Sequence, residues 1–157
     1  MKVLMVCLGN ICRSPLAEGV LRHKLKEAGV TDVFVDSAGT SGYHAGEHPD
    51  TRSARNAKSH GVDISKLVSR QFIMDDFEEF DRIYVMDSSN YQNVIALAQT
   101  KEHELKVDHL LNAKWPGKNI AVPDPYFGGD DGFENVFRLV EQACEAIVEE
   151  IKNGNGK

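Results

Sequence analysis

Cysteine is scarce in this sequence: Cys7, Cys12 and Cys144 are the only three in 157 residues. An odd number, with no secretion signal beside it, argues against a disulfide scaffold. No CxxC or HExxH pattern is present, which removes the common zinc spacings, and no metal is expected. Long apolar runs are missing as well. The opening MKVLMV is too short for a signal-peptide core and far too short to span a bilayer, and no later stretch does better. A cytoplasmic location is the expectation. Excess positive charge is absent: the formal net charge is -6, which disfavours non-specific nucleic-acid binding. Any anion must be held in one local site, against the overall field. There is no internal repeat, and no low-complexity segment apart from the NGNGK tail.

What is present fits one ordinary globular domain, expected over residues 1–152 with a polar tail at 153–157. The chain is 41% hydrophobic and 27% charged, and its length suits a single core. Residues 3–6 (VLMV) form a continuous apolar run, as a strand buried on both faces does. Ser14 and Pro15 read as an N-cap and first helical position. Leu16, Val20, Leu21 and Leu25 then share a helical face, closed by Gly29. Strands are expected at 33–35, at 82–86 and, weakly, at 105–107. Helices are expected at 49–60, 88–98 and 133–151, the last with Val136, Val140, Ala143, Ile147 and Ile151 at helical spacing. Alternating strands and helices predict an α/β fold with a central four-stranded parallel sheet and helices on both faces. Ligands in such folds sit beyond the carboxyl ends of the strands.

CLGNICRS, residues 7–14, falls at that edge, between the first strand and the first helix. A loop leaving a buried strand for a helix can turn successive backbone N–H groups inward, forming an anion cradle. Gly9 and Asn10 tolerate the left-handed conformations this curl needs. Arg13 adds a planar fork for two phosphoryl oxygens. The same positive surroundings favour the thiolate of a cysteine, and Ser14 is placed to donate to it. The loop therefore reads as a holder of a tetrahedral oxyanion over the Cys7 sulfur. The plain alternative is a cysteine packed as an inert apolar residue at a strand end. C-x5-R alone is common by chance; the strand before it and the capped helix after it give it weight. The Walker A pattern is missing, so an ATPase is disfavoured. The longest loop, residues 114–132, is rich in Pro, Gly and Asp and contains PDPY.

Over roughly residues 2–150 the chain closely resembles the low-molecular-weight protein tyrosine phosphatases. VCLGNICRSPLAEGV matches that family's phosphate-binding loop and first helix. VDSAGTSGYHAG, SHGVDIS, MDSSN and PDPY resemble its further motifs, in order. The resemblance implies hydrolysis of phosphotyrosine and aryl phosphate monoesters through a cysteinyl-phosphate. Cys7 is then the nucleophile and Arg13 the phosphoryl clamp, with the backbone amides of Leu8, Gly9, Asn10, Ile11, Cys12, Arg13 and Ser14. Asp124 is the general acid, then the base for water. Ser14 stabilises the thiolate, while Ser37 and His60 support Asn10. Tyr43, Tyr126 and Phe127 wall the cleft. Cys12 is a partner for a reversible disulfide that guards Cys7 from overoxidation. No cofactor is implied. The implied partners are tyrosine-phosphorylated proteins or small aryl phosphates, with phosphate as product or inhibitor, and neither nucleic acid nor membrane.

Plainer roles compete with several of these. Asp124 precedes Pro125, a common turn opening. His60 before Gly61 suits a helix C-terminus. Tyr43 and Tyr126 can be surface aromatics, and Cys12 a small residue packed under the loop. Cys144 reads as core, and His23, His44, His48, His103 and His109 show no ligand spacing. Asp130, Asp131 and Glu134 read as a solvated helix N-terminus or as a filter for approaching phosphoproteins. Arsenate reduction on the same fold needs further cysteines downstream, where only Cys144 occurs. A phosphocarrier has no need of an acid for a phenol leaving group, and a mere phosphotyrosine-binding module has no need of the nucleophile.

Overall fold

The run at residues 3–6 becomes the middle of the sheet. In the computed structural model, which describes residues 1–125 and 129–154 (of Asp130 the backbone only), β1 (Lys2–Cys7) lies between two parallel partners. β2 (Phe34–Gly39) pairs on one side and β3 (Arg82–Val85) on the other. β4 (Val107–His109) extends the sheet past β3, so the order is β2-β1-β3-β4. Side chains alternate across a strand, so Val3, Met5 and Cys7 enter one core and Leu4 and Val6 the other. Both faces are covered, which is why the sequence there is uniformly apolar.

Helices α1 (Arg13–Glu27), α2 (Thr51–Ser59) and α6 (Asp130–Lys152) cover the Cys7 face. Leu16, Val20, Leu21 and Leu25 of α1 meet Val136, Val140, Ala143 and Ile147 of α6. Each of the buried Leu, Val and Ile side chains contributes about 1.5–3 kcal/mol relative to exposure; Leu21→Ala should cost about 2–5 kcal/mol. Cys144 lies fully inside this layer. The other face carries α3 (Asp76–Glu79), α4 (Ser88–Ile95) and α5 (Lys101–Leu105). Phe77, Val94 and a His103 ring stacked on Phe77 at 4.6 Å fill it. Among the described residues no helix is long and apolar enough to cross a membrane.

Several boundaries depart from the expectations; α4 ends at Ile95 rather than at 98, and α6 begins at Asp130 rather than at 133. β2 runs on through Asp36 and Ser37 to Gly39, because an edge strand with polar duties need not be apolar throughout. The fourth strand lies at Val107–His109, not at 105–107. Leu105 ends α5 and is exposed, whereas His109 is buried, so apolarity alone misplaced the strand. α1 starts at Arg13, and its cap position, Cys12, makes no side-chain capping bond. Ser14 is thus inside the helix, not its cap, and its hydroxyl is turned elsewhere.

The chain passes from β1 to β2 on one side and returns to β3 on the other. That reversal opens a crevice beyond the carboxyl end of β1, where α/β folds bind ligands.

Candidate active site

Residues 8–12 curl at this crevice, and neighbouring segments hold their carbonyls outward. The Thr40 amide donates to Cys7 O at 2.9 Å, Ser41 to Leu8 O at 2.9 Å and Asp50 to Ile11 O at 2.8 Å. Ser69 Oγ donates to Gly9 O at 3.1 Å, and Ser53 Oγ to Cys12 O at 3.3 Å. With carbonyls facing out, the amides face in. Those of Leu8, Gly9, Ile11 and Cys12 meet no acceptor among the described residues. Backbone N–H groups converging at the start of a 15-residue helix make an anion site. Within this curl only Asn10 takes the left-handed conformation, at φ 57; Gly9 does not. Glycine is needed instead at Gly39, where a Cβ would lie 2.8 Å from Leu8 O and 3.1 Å from Asn10 N.

Cys7 ends β1 beneath this curl. Its sulfur lies 3.0 Å from Ser14 Oγ and 3.2 Å from the Asn10 amide, which donates to it. Asn10 is clamped in turn. Its Nδ2 donates to Ser14 Oγ at 2.7 Å and to Ser37 Oγ at 3.0 Å, while its Oδ1 accepts from Arg70 N at 3.0 Å. The structure thus brings Asn10, Ser14 and Ser37 together. It does not bring His60. That ring stacks on Phe137 at 3.9 Å and its Nε2 meets Glu134 Oε1 at 2.8 Å. His60 follows α2 on the side turned to α6, and the Arg70 amide takes the Asn10 oxygen instead. The expected support of Asn10 by His60 is corrected accordingly.

Arg13 is 3% exposed, and its charge is matched nearby. Nη1 donates to Asp87 Oδ2 at 2.8 Å and to Val122 O at 2.9 Å. Burial pushes the Asp87 carboxyl up, but the Arg13 bond and the Asn90 amide outweigh it and hold the group below its ordinary range. Nη2 lies 3.9 Å from Asp124 Oδ2. Asp124 is 45% exposed at its side chain, so it faces both the guanidinium and solvent. Anchoring through Nη1 leaves the other edge of the fork turned toward the crevice.

A cleft of about 510 Å³ opens over the loop, lined by Cys7, Leu8, Arg13, Tyr43, His44 and Asp124 among others. Tyr43 projects at 84% exposure, its ring edge-on to His44 at 4.9 Å. Tyr126 and Phe127, the other expected walls, lie outside the described residues. Cys12 packs with Ile11 and Phe133. Burial first, then Asp50, Cys7 and Asp124, push its thiol far up, so it is held neutral. Glu134 is engaged by His60, Asn56 and Arg138, whose hydrogen bonds hold its carboxyl down at about 2.

Asp87 and His44 are among the contributors that escaped the sequence reading, as is the Arg70 amide. Asp87 follows β3 and caps α4, accepting from Asn90 N at 2.8 Å; it lies in the MDSSN motif, but no role was read for it there. His44 had no ligand spacing, yet a Cβ on Gly9 would lie 3.1 Å from its ring.

Comparison with known proteins agrees with this geometry. The family model for low molecular weight phosphotyrosine protein phosphatase matches residues 2–156. The human low molecular weight phosphotyrosine protein phosphatase is 42% identical over 149 residues, 94% of this chain and 93% of that protein. A protein tyrosine phosphatase from Entamoeba histolytica, solved with Hepes in the active site, superimposes with a TM-score of 0.92 at 37% identity, covering 98% of both chains. A Drosophila arginine phosphatase superimposes with a TM-score of 0.89 at 33% identity, over 97% of this chain and 98% of that one. A capped curl of inward amides over a cysteine, an anchored arginine and these matches along nearly the whole chain lead to one conclusion: the chain belongs to the low molecular weight phosphotyrosine protein phosphatase family.

Proposed function

We propose that this chain hydrolyses phosphotyrosine and aryl phosphate monoesters, with Cys7 as the nucleophile, Arg13 as the phosphoryl clamp and Asp124 as the acid and base. The observation that supports the reading is the outward set of loop carbonyls, which turns the amides of Leu8, Gly9, Ile11 and Cys12 inward, beside the Asn10 amide that donates to the Cys7 sulfur.

Three phosphoryl oxygens are met by those amides and by the Nη2 side of Arg13, which places phosphorus in line with sulfur. The Cys7 thiolate attacks. The S–P bond forms while the P–O bond to the aryl group breaks, and the electron pair leaves on the phenol oxygen. Asp124 gives that oxygen its proton. Water then attacks the cysteinyl-phosphate, Asp124 takes a water proton, and the S–P electron pair returns to sulfur. Phosphate leaves, and as the same oxyanion it competes with substrate. Charge developing on the equatorial oxygens is stabilised by fixed dipoles and one buried guanidinium. The Ser14 hydroxyl at 3.0 Å stabilises the sulfur as a leaving thiolate.

The substrates are tyrosine-phosphorylated proteins or small aryl phosphates that fit beside Tyr43. The site of action is the cytoplasm, where the thiols stay reduced. Residues 1–152 form the catalytic domain, with the remainder as tail.

The test is turnover of p-nitrophenyl phosphate and of a phosphotyrosine peptide by Cys7→Ser. We expect no steady-state hydrolysis, with phosphate still bound; turnover near the wild-type rate overturns the covalent reading. A phosphoarginine peptide belongs in the same assay, because one structural neighbour is an arginine phosphatase. Faster cleavage of that peptide would reassign the substrate and leave the nucleophile standing.

A further inference from the structure

Behind Cys7 a buried chain of polar groups runs away from the sulfur. Ser14, Asn10, Ser37 and Glu18 are 0%, 2%, 5% and 2% exposed. Glutamate is almost never this buried unless it is paired. Glu18 lies on α1 one turn beyond Ser14, and its Oε1 accepts from Ser37 Oγ at 2.6 Å. Its other oxygen meets Arg22 at 2.7 Å, and Arg22 also donates to Val35 O at 2.7 Å.

The protons in this chain have one consistent order. Arg70 N is a donor by necessity, so it identifies Asn10 Oδ1 as the acceptor and Nδ2 as the donor. The two Nδ2 hydrogens then go to Ser14 Oγ and Ser37 Oγ. Both hydroxyls are acceptors toward Asn10, so each must send its own proton onward. Ser37 sends it to the Glu18 carboxylate. Ser14 has the Cys7 sulfur at 3.0 Å and Ala38 O at a longer 3.4 Å. The order is Asn10 to Ser37 to Glu18 on one side, and Asn10 to Ser14 to Cys7 on the other.

We infer that Glu18 is a positioning residue for catalysis: as a buried charged acceptor it fixes the Ser37 hydroxyl, through it the Asn10 amide, and so keeps the Ser14 hydroxyl donating to the Cys7 sulfur. The inference rests on Cys7 being the nucleophile. A hydrogen bond to a carboxylate is about twice as strong as a neutral one and polarises its neighbours. Among the described residues Ser37 Oγ donates to no other acceptor. Burial is the largest influence on the Glu18 carboxyl and leaves it above its ordinary range; Ser37, Arg22 and Arg70 oppose this, and Asp36 of β2 adds to it. Arg22, placed against the outer oxygen, helps keep the acceptor ionised.

The test compares Glu18→Met, which removes the acceptor at similar volume, with Glu18→Gln, which retains an acceptor oxygen. Two rates are read: single-turnover phosphorylation by p-nitrophenyl phosphate, and iodoacetate alkylation of Cys7 at one fixed pH. Glu18→Met should slow both about tenfold, in keeping with loss of one oriented donor to a charged sulfur. Inhibition by phosphate should change less than about twofold, since the amides and Arg13 are untouched, and Glu18→Gln should recover most of both rates. In a Ser37→Ala background Glu18→Met should add almost nothing, because the link is already cut. Wild-type rates in Glu18→Met, or an equal further loss in the Ser37→Ala background, overturn the inference. If Glu18→Met does not fold, Ser37→Ala decides alone, and wild-type alkylation in it overturns the inference. These failures differ from that of the proposed function, which an active Cys7→Ser would bring down by itself.

Discussion

Arg13 Nη1 donates to Asp87 Oδ2 across 2.8 Å, joining the first helix to the end of the third strand. The bond fixes one edge of the guanidinium, while Nη2 lies 3.9 Å from Asp124 Oδ2 at the cleft. Asp87 also caps α4 through Oδ1. Asp87→Ala should therefore have two separable effects. Catalytic efficiency should fall about a hundredfold, since small misplacements of a clamp are costly. Stability should fall by about 1 kcal/mol, as for a lost cap. Steady-state kinetics and urea unfolding check them independently, and wild-type kinetics would mean that Arg13 needs no anchor.

Asp124 faces Arg13 at 3.9 Å and opens to solvent. If it protonates the leaving phenolate, Asp124→Asn should slow phosphorylation by roughly a hundredfold to ten-thousandfold. The loss should grow with the pKa of the phenol. Rapid mixing over a series of aryl phosphates measures this step before hydrolysis limits turnover. A loss independent of the leaving group would leave Asp124 as a turn residue.

The His60–Glu134 contact belongs to the α2–α6 interface, so His60→Ala should keep activity within about threefold while lowering stability by about 1–3 kcal/mol. Glu134 gives a pH signature. Its carboxyl titrates at about 2 in the folded chain, against an ordinary 4.5. Between those values the unfolded chain binds more protons, so stability rises with pH. The contribution is fully present above 4.5 and is lost as pH falls toward 2. Glu134→Gln should flatten the stability difference in that window, measured by urea unfolding at successive pH values. Parallel curves for the two proteins would remove Glu134 as a source of acid lability.

Cys12 is held as a neutral, buried thiol within the curl of residues 8–12. Peroxide should convert the Cys7 thiolate to a sulfenic acid, and attack by Cys12 would release water and form the disulfide. Wild type should lose activity in peroxide and regain it with a thiol reductant. Cys12→Ser should start at a similar rate and recover much less. Equal recovery, with no Cys7–Cys12 peptide in mass spectra, would leave Cys12 as packing beneath the loop.

The sequence by itself determined the parts of the molecule that depend on local pattern. The apolar run of β1 and the helical stripes of α1 and α6 were legible because burial on one or both faces dictates residue type. The curl from Cys7 to Ser14 was legible because a cysteine, small turn residues and an arginine crowd into one strand-to-helix junction. Tertiary structure decided which distant groups complete it. Asp87 reaches Arg13 from 74 residues away, and Glu18 reaches Ser37 across a helix–strand contact. His60, close in sequence to the segment that clamps Asn10, goes instead to α6. Buried polar partners leave no periodic trace. Their pairing is set by which strand ends the sheet order brings together and by the need to satisfy every buried donor and acceptor.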